Sequence, residues 1–121
     1  MSHRILIVDD EPNIVISLEY LMRKEGYEVA VAKDGDDALA RAMDFVPDLV
    51  LLDVMMPKKS GFEVCQALRA EPRLAAVKII MLTAKGRETE VTKGLALGAD
   101  AYVTKPFSTT DLVLRIKSLL A

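Results

Sequence analysis

The sequence predicts an α/β fold: an open five-stranded parallel sheet, order 2-1-3-4-5, doubly wound with helices on both faces. Three observations carry this. Apolar runs alternate with amphipathic stretches from end to end of the 121 residues, without low-complexity linkers. The most continuously apolar runs, those leading to Asp9, Asp53 and Thr83, suit interior strands buried on both faces. Five short βα units are too few to close an eight-fold barrel, which leaves the open sheet.

The elements follow in order. Strand 1 is Arg4 to Asp9, built on Ile5-Leu6-Ile7-Val8. A helix begins at about Pro12, since proline suits a first helical turn, and turns Val15, Leu18, Leu21 and Met22 inward before Gly26 closes it. Strand 2, Glu28 to Ala32, alternates more than the others, as an edge strand would. Helix 2 runs from about Asp36, places Leu39, Ala42 and Met43 inward, and is stopped by Pro47. Strand 3 is Leu49 to Asp53.

Helix 3 opens at Ser60-Gly61-Phe62-Glu63, whose Ser and Glu have capping-box spacing, and finishes before Pro72. The preceding Lys58-Lys59 reads as a solvated turn. Strand 4 is Val77 to Leu82, with Thr83 at its end. Helix 4, from about Arg87 to Leu97, is the poorest in apolar residues and contains Gly94, which costs about 1 kcal/mol relative to Ala. It is expected to be the least stable helix. Gly98 can cap it, strand 5 is Ala101 to Val103, and helix 5 starts at Ser108 and packs Leu112, Ile116, Leu119 and Leu120.

Composition bounds the function. The length suits one domain, residues 1–121, and 51% hydrophobic with 28% charged residues describes a soluble globular protein. A net charge of -2 lacks the basic excess of a direct nucleic-acid binder. The apolar runs fall far short of the roughly 20 residues that cross a bilayer, so no membrane segment is expected, and Met1-Ser2-His3-Arg4 leads straight into a strand without a signal peptide. The single cysteine, Cys65, cannot form an internal disulfide and reads as a core residue, which makes the cytoplasm the expected compartment.

Order 2-1-3-4-5 makes the chain reverse its direction of growth between strands 1 and 3, and ligands bind at the carboxyl ends there. Asp9, Asp10 and Asp53 all fall at that point. Like charges at about 4 Å repel by on the order of 4 kcal/mol per pair at an effective dielectric near 20, so something positive must compensate. Lys105, at the end of strand 5, supplies one charge, and an oxygen-rich set of carboxylates and loop carbonyls suits Mg²⁺. With both, the crevice can accept a phosphoryl group aimed at Asp53, which would act as the nucleophile. Glu11 is expected to open the first helix, where a carboxylate favours the dipole.

Ile5-Leu6-Ile7-Val8-Asp9-Asp10-Glu11, Leu51-Leu52-Asp53-Val54-Met55-Met56-Pro57 with Gly61, Leu82-Thr83-Ala84, and Gly98-Ala99-Asp100-Ala101-Tyr102-Val103-Thr104-Lys105-Pro106-Phe107 together resemble the receiver domain of two-component response regulators, over essentially the whole chain. The resemblance implies that Asp53 is the phosphoacceptor, and that Asp10, Asp53 and the backbone carbonyl of Met55 ligate Mg²⁺ with Asp9 assisting through water. It implies that Lys105 pairs with phosphoryl oxygens, that Thr83 and Tyr102 form a switch pair, and that the peptide before Pro106 is cis, aiming Lys105 into the crevice. The implied donor is a phosphohistidine on a histidine kinase or phosphotransfer protein. The implied recipient is a downstream target protein or an output domain, which this chain, ending one helix after Lys105, is expected to lack.

Two rival functions share parts of this reading. A flavodoxin-like electron carrier has the same topology, but needs a phosphate loop rich in Ser, Thr and Gly after strand 1 and aromatics to sandwich FMN. Here the loop is Asp9-Asp10-Glu11-Pro12 and there is no Trp. A Mg²⁺-dependent phosphatase with an aspartyl-phosphate intermediate needs a second acid two residues after the nucleophile and a cap. Met55 occupies that place, and no insertion is long enough for a cap. The expected protein is therefore a switch that catalyses its own phosphorylation and dephosphorylation and turns over no exogenous substrate.

Overall fold

The computed structural model describes residues 3–56, 59–84 and 88–121. Five parallel strands, β1 (Arg4–Val8), β2 (Glu28–Ala32), β3 (Leu49–Asp53), β4 (Lys78–Ala84) and β5 (Ala101–Lys105), form one sheet in the order β2-β1-β3-β4-β5. This is the predicted topology. The helices α1 (Pro12–Lys24), α2 (Gly35–Phe45), α3 (Gly61–Ala70), α4 (Glu88–Ala96) and α5 (Thr109–Leu120) alternate with the strands, and a single 3₁₀ turn, Pro72–Leu74, precedes β4.

The period-two alternation of each strand divides its side chains between two cores. Ile5, Ile7, Leu49, Leu51, Ile80 and Leu82 point to one face, where Leu18 and Met22 of α1 and Leu112 and Ile116 of α5 cover them. Leu6, Val8, Val50, Leu52, Ile79 and Met81 point to the other, against Ala38 and Ala42 of α2 and Val64, Cys65 and Leu68 of α3. Packing on both faces explains why the interiors of β1, β3 and β4 are apolar and fully buried, whereas β2 and β5 at the edges are mostly part-exposed.

Helix ends follow their local signals. Ser60 and Glu63 close a reciprocal capping box on α3, Asp34 caps α2 through the amide of Asp37, and Ser108 caps α5 through that of Asp111. Gly26 and Gly98 adopt positive φ after α1 and α4, where a Cβ would be strained.

Four strand ends differ from the sequence reading, one of them the start of β4, at Lys78 where Val77 was expected. β1 ends at Val8, which leaves Asp9 just beyond the strand. β4 runs on to Ala84, so Thr83 lies inside it, because β5 also extends further than expected and pairs Thr104 with Thr83 and Lys105 with Ala84. Arg87, where α4 was expected to begin, lies outside the described residues, as do Pro57 and Lys58.

Candidate functional site

Because all strands are parallel, their carboxyl ends share one edge, and because β1 and β3 are neighbours their acids meet there. Asp9 is buried, and its two oxygens are both used: Oδ1 accepts from the Glu11 amide at 2.9 Å and Oδ2 from Lys105 Nζ at 2.9 Å. Asp53, the last residue of β3, is also buried, and its Oδ1 accepts from the Met55 amide at 3.3 Å. Asp10 is exposed at the mouth. Carboxylate oxygens of Asp9, Asp10 and Asp53 lie within 4.8 Å of one another.

One ammonium serves this group. Lys105 Nζ stands 2.9 Å from Asp9, 3.2 Å from Glu11 and 3.5 Å from Asp53, with only 16% of its side chain exposed. Burial works against its charge most strongly, but the bond to Asp9 and the fields of Asp53, Asp9 and Glu11 together raise its pKa. Asp53 is pushed toward its neutral form. Burial first, and then Asp9, raise its carboxyl from the ordinary 3.8 to about 6, against the downward pull of Lys105 and the Met55 amide, with Asp10 adding a smaller upward push. Three carboxylates against one ammonium leave the crevice negative even before Glu11 is counted. That excess of hard oxygen donors fits a divalent cation of the Mg²⁺ type.

Thr83 brings a hydroxyl to the same edge from β4. It is buried, and among the described residues its Oγ1 is the buried side-chain polar atom without a hydrogen-bond partner. Leaving such a group unsatisfied costs about 1–3 kcal/mol. Tyr102 pairs with Met81 in the register and so lies on the same sheet face as Thr83. Tyr102 is 38% exposed and lines a groove of about 340 Å³ with Phe107, Asp111 and Arg115. The Lys105–Pro106 peptide is cis. The Met55 side chain faces solvent.

Two participants escaped the sequence reading. Glu11 precedes α1 but makes no side-chain cap there. Its carboxylate turns instead to Lys105, the better partner, since a full charge at 3.2 Å outweighs a fractional helix dipole. Lys59 is only half exposed, packs against Gly35 at the start of α2, and reaches Asp36 at 3.9 Å. No local pattern signals either contact, because both join loops far apart in sequence.

Comparison with known proteins agrees with this geometry. The family profile described as response regulator receiver domain matches residues 5–117. The chain is 48% identical over 120 residues to the alkaline phosphatase synthesis transcriptional regulatory protein PhoP of Bacillus subtilis, covering 99% of this chain and 49% of that protein. It is 46% identical to the phosphate regulon transcriptional regulatory protein PhoB of Rhizobium meliloti, covering 99% of this chain and 53% of that one. The chain thus spans about half the length of the curated relatives it matches. Among solved structures, the chemotaxis response regulator CheY4 of Vibrio cholerae superposes with a TM-score of 0.93 at 32% identity, over 99% of this chain and 100% of that one.

Proposed function

Since the chain belongs to the response regulator receiver domain family, we propose that residues 1–121 act as one phosphorylation-activated signalling switch with Asp53 as its phosphoacceptor. The observation that carries this is the convergence on Asp53 of Lys105, 3.5 Å away, and of the crevice that holds Asp9 and Asp10. An Asp53 oxygen attacks the phosphorus of a phosphohistidine on a histidine kinase or phosphotransfer protein. The P–N bond breaks, the imidazole leaves, and Asp53 becomes a mixed carboxylic–phosphoric anhydride.

Each neighbouring residue has a role in this reading. Asp10, Asp53 and the Met55 carbonyl would hold Mg²⁺, with Asp9 assisting through water. Bound there, the cation supplies the positive charge that lets carboxylates and a phosphoryl group share one crevice. Lys105 neutralises phosphoryl oxygens, Asp9 keeps the Lys105 ammonium in place beforehand, and the unpartnered Thr83 hydroxyl donates to the phosphoryl group once it arrives. Moving Thr83 toward Asp53 frees space on its sheet face for the exposed Tyr102 ring, which carries the change to α4, β5 and α5.

The partner on that face is a downstream target protein or an output domain. With a net charge of -2, this chain is assigned no direct contact with nucleic acid. Among the described residues no helix is long and apolar enough to cross a membrane, and we place the switch in the cytoplasm. The phosphatase and FMN-carrier readings are not favoured: Met55, not an acid, stands two residues after Asp53, and the loop after β1 is acidic. Incubation with a small acyl-phosphate donor and Mg²⁺ should add one acid-stable, base-labile phosphoryl group. The same incubation should add none in a chelator or in Asp10→Ala. Labelling that survives both would remove the metal from the account.

A further inference from the structure

We infer that Glu11 is a positioning residue for Lys105: its carboxylate occupies one donor of the ammonium, cedes it to a phosphoryl group on Asp53, and so sets how tightly the crevice holds that group. An ammonium has three N–H donors. Asp9 Oδ2 accepts one at 2.9 Å and Glu11 Oε1 another at 3.2 Å, while Asp53 stands at 3.5 Å, beyond the usual N–H···O range. The helix does not account for this carboxylate, since Glu11 heads α1 without capping it through its side chain. Its backbone is held on both sides, the amide donating to Asp9 Oδ1 at 2.9 Å and the carbonyl accepting from the Val15 amide at 3.0 Å. The side chain thus reaches Lys105 from a fixed base.

The two carboxylates bonded to Lys105 differ in what release costs. The Asp9 side chain is 0% exposed, whereas that of Glu11 is 59% exposed. Breaking the Asp9 bond would leave a buried charge without its partner, but a Glu11 carboxylate that lets go of the ammonium turns to water. A phosphoryl group on Asp53 would bring anionic oxygens to an ammonium already 3.5 Å from that residue, and a charge-assisted bond inside the crevice outweighs one at its solvated mouth. Glu11 is therefore the partner that yields, and Asp9 the one that stays. Because the Glu11 contact is given up whenever a phosphoryl group takes Lys105, removing it favours the phosphoryl-bound arrangement. An ion pair with one exposed member sets the size of the gain at about fivefold, or about 1 kcal/mol at about 1.4 kcal/mol per tenfold.

This inference rests on the reading of Asp53 as phosphoacceptor with Lys105 on the phosphoryl oxygens, and its test separates the two. Beryllofluoride, an anionic phosphoryl mimic, is titrated into the 121-residue protein at saturating Mg²⁺ and followed through backbone amide NMR shifts. The Lys105 side-chain signals are recorded beforehand, without the mimic. Glu11→Gln, which keeps the shape and removes the charge, should bind beryllofluoride about fivefold more tightly than wild type and should already shift the Lys105 signals. Glu11→Asp keeps the charge but is one methylene shorter, so it should loosen the contact and gain at least about twofold. Affinity of Glu11→Gln within about twofold of wild type, or weaker, overturns the inference, and so do Lys105 signals that stay in place. A gain confined to Glu11→Gln would put the effect in the charge at the mouth and overturn the contact with Lys105. If the wild type itself binds no beryllofluoride at Asp53, the phosphoacceptor reading fails and the role of Glu11 falls with it.

Discussion

The Lys105 ammonium is hydrogen-bonded to Asp9 at 2.9 Å, a shorter contact than the 3.5 Å that separates it from Asp53. Asp9 is buried, accepts the Glu11 amide with its other oxygen, and so offers the lysine a fixed anchor at the end of β1. Lys105 is thus held beside Asp53 but bonded to Asp9. Asp53 consequently keeps a raised pKa in spite of a neighbouring cation, since burial and Asp9 outweigh Lys105.

That raised pKa predicts how stability depends on pH. The folded protein holds the Asp53 proton up to about 6, whereas the unfolded chain releases it near 3.8. The folded state binds more protons in between, so this group's contribution to stability is full below 3.8 and is lost as pH rises to 6 and above. The difference corresponds to at most about 3 kcal/mol at about 1.4 kcal/mol per pH unit. In metal-free buffer Asp53→Asn should therefore be more stable than wild type by about 1–3 kcal/mol at pH 7, with the gap closing toward pH 4. Urea unfolding at several pH values checks this. Equal stability at pH 7 would mean that the acid cluster imposes no strain.

Thr83 and Lys105 should separate chemistry from switching. Both would face the phosphoryl group after it arrives, so they contribute mainly to the difference between inactive and active arrangements. Moving an equilibrium from 1:99 to 99:1 needs about 5.5 kcal/mol, and hydrogen bonds to a charged group supply about 1.5–3 kcal/mol each. Thr83→Ala and Lys105→Ala should still accept phosphate on Asp53 yet fail to relay it. With a beryllofluoride mimic, wild-type amide shifts should run from Asp53 through Thr83 to Tyr102 and α4. In either variant they should stay in the crevice. Shifts that reach Tyr102 undiminished would send the signal by another route.

The sequence made the sheet and most of the site legible for one reason: in a parallel sheet the interior strands are buried on both faces, so each reads as an unbroken apolar run whose first polar residue marks the binding edge. Asp53, Thr83 and Asp9 were found in this way. How far pairing carries a strand is not visible in its apolar residues: Thr104 and Lys105 follow the apolar stretch that ends at Val103, and their ladder to Thr83 and Ala84 brings them into β5. Contacts between distant loops were equally hidden. Arg69 at the end of α3 donates to the Gly98 carbonyl at 2.9 Å and pairs with Asp100 at 2.9 Å, tying α3 to the turn before β5, yet nothing in its local pattern sets it apart from a surface arginine. The Glu11–Lys105 and Gly35–Lys59 contacts belong to the same class.

Chemical trapping of the phosphorylated residue tests the central claim most directly. The protein is incubated with a small acyl-phosphate donor and Mg²⁺ and then reduced with borohydride, which converts an aspartyl phosphate to homoserine. Peptide sequencing by mass spectrometry then locates the change. Homoserine should appear at Asp53, and at neither Asp9 nor Asp10, and should be missing when the donor is omitted. Homoserine at Asp9 or Asp10, or its absence from Asp53 in protein that carries the phosphoryl group, would contradict the assignment of Asp53 as the phosphoacceptor.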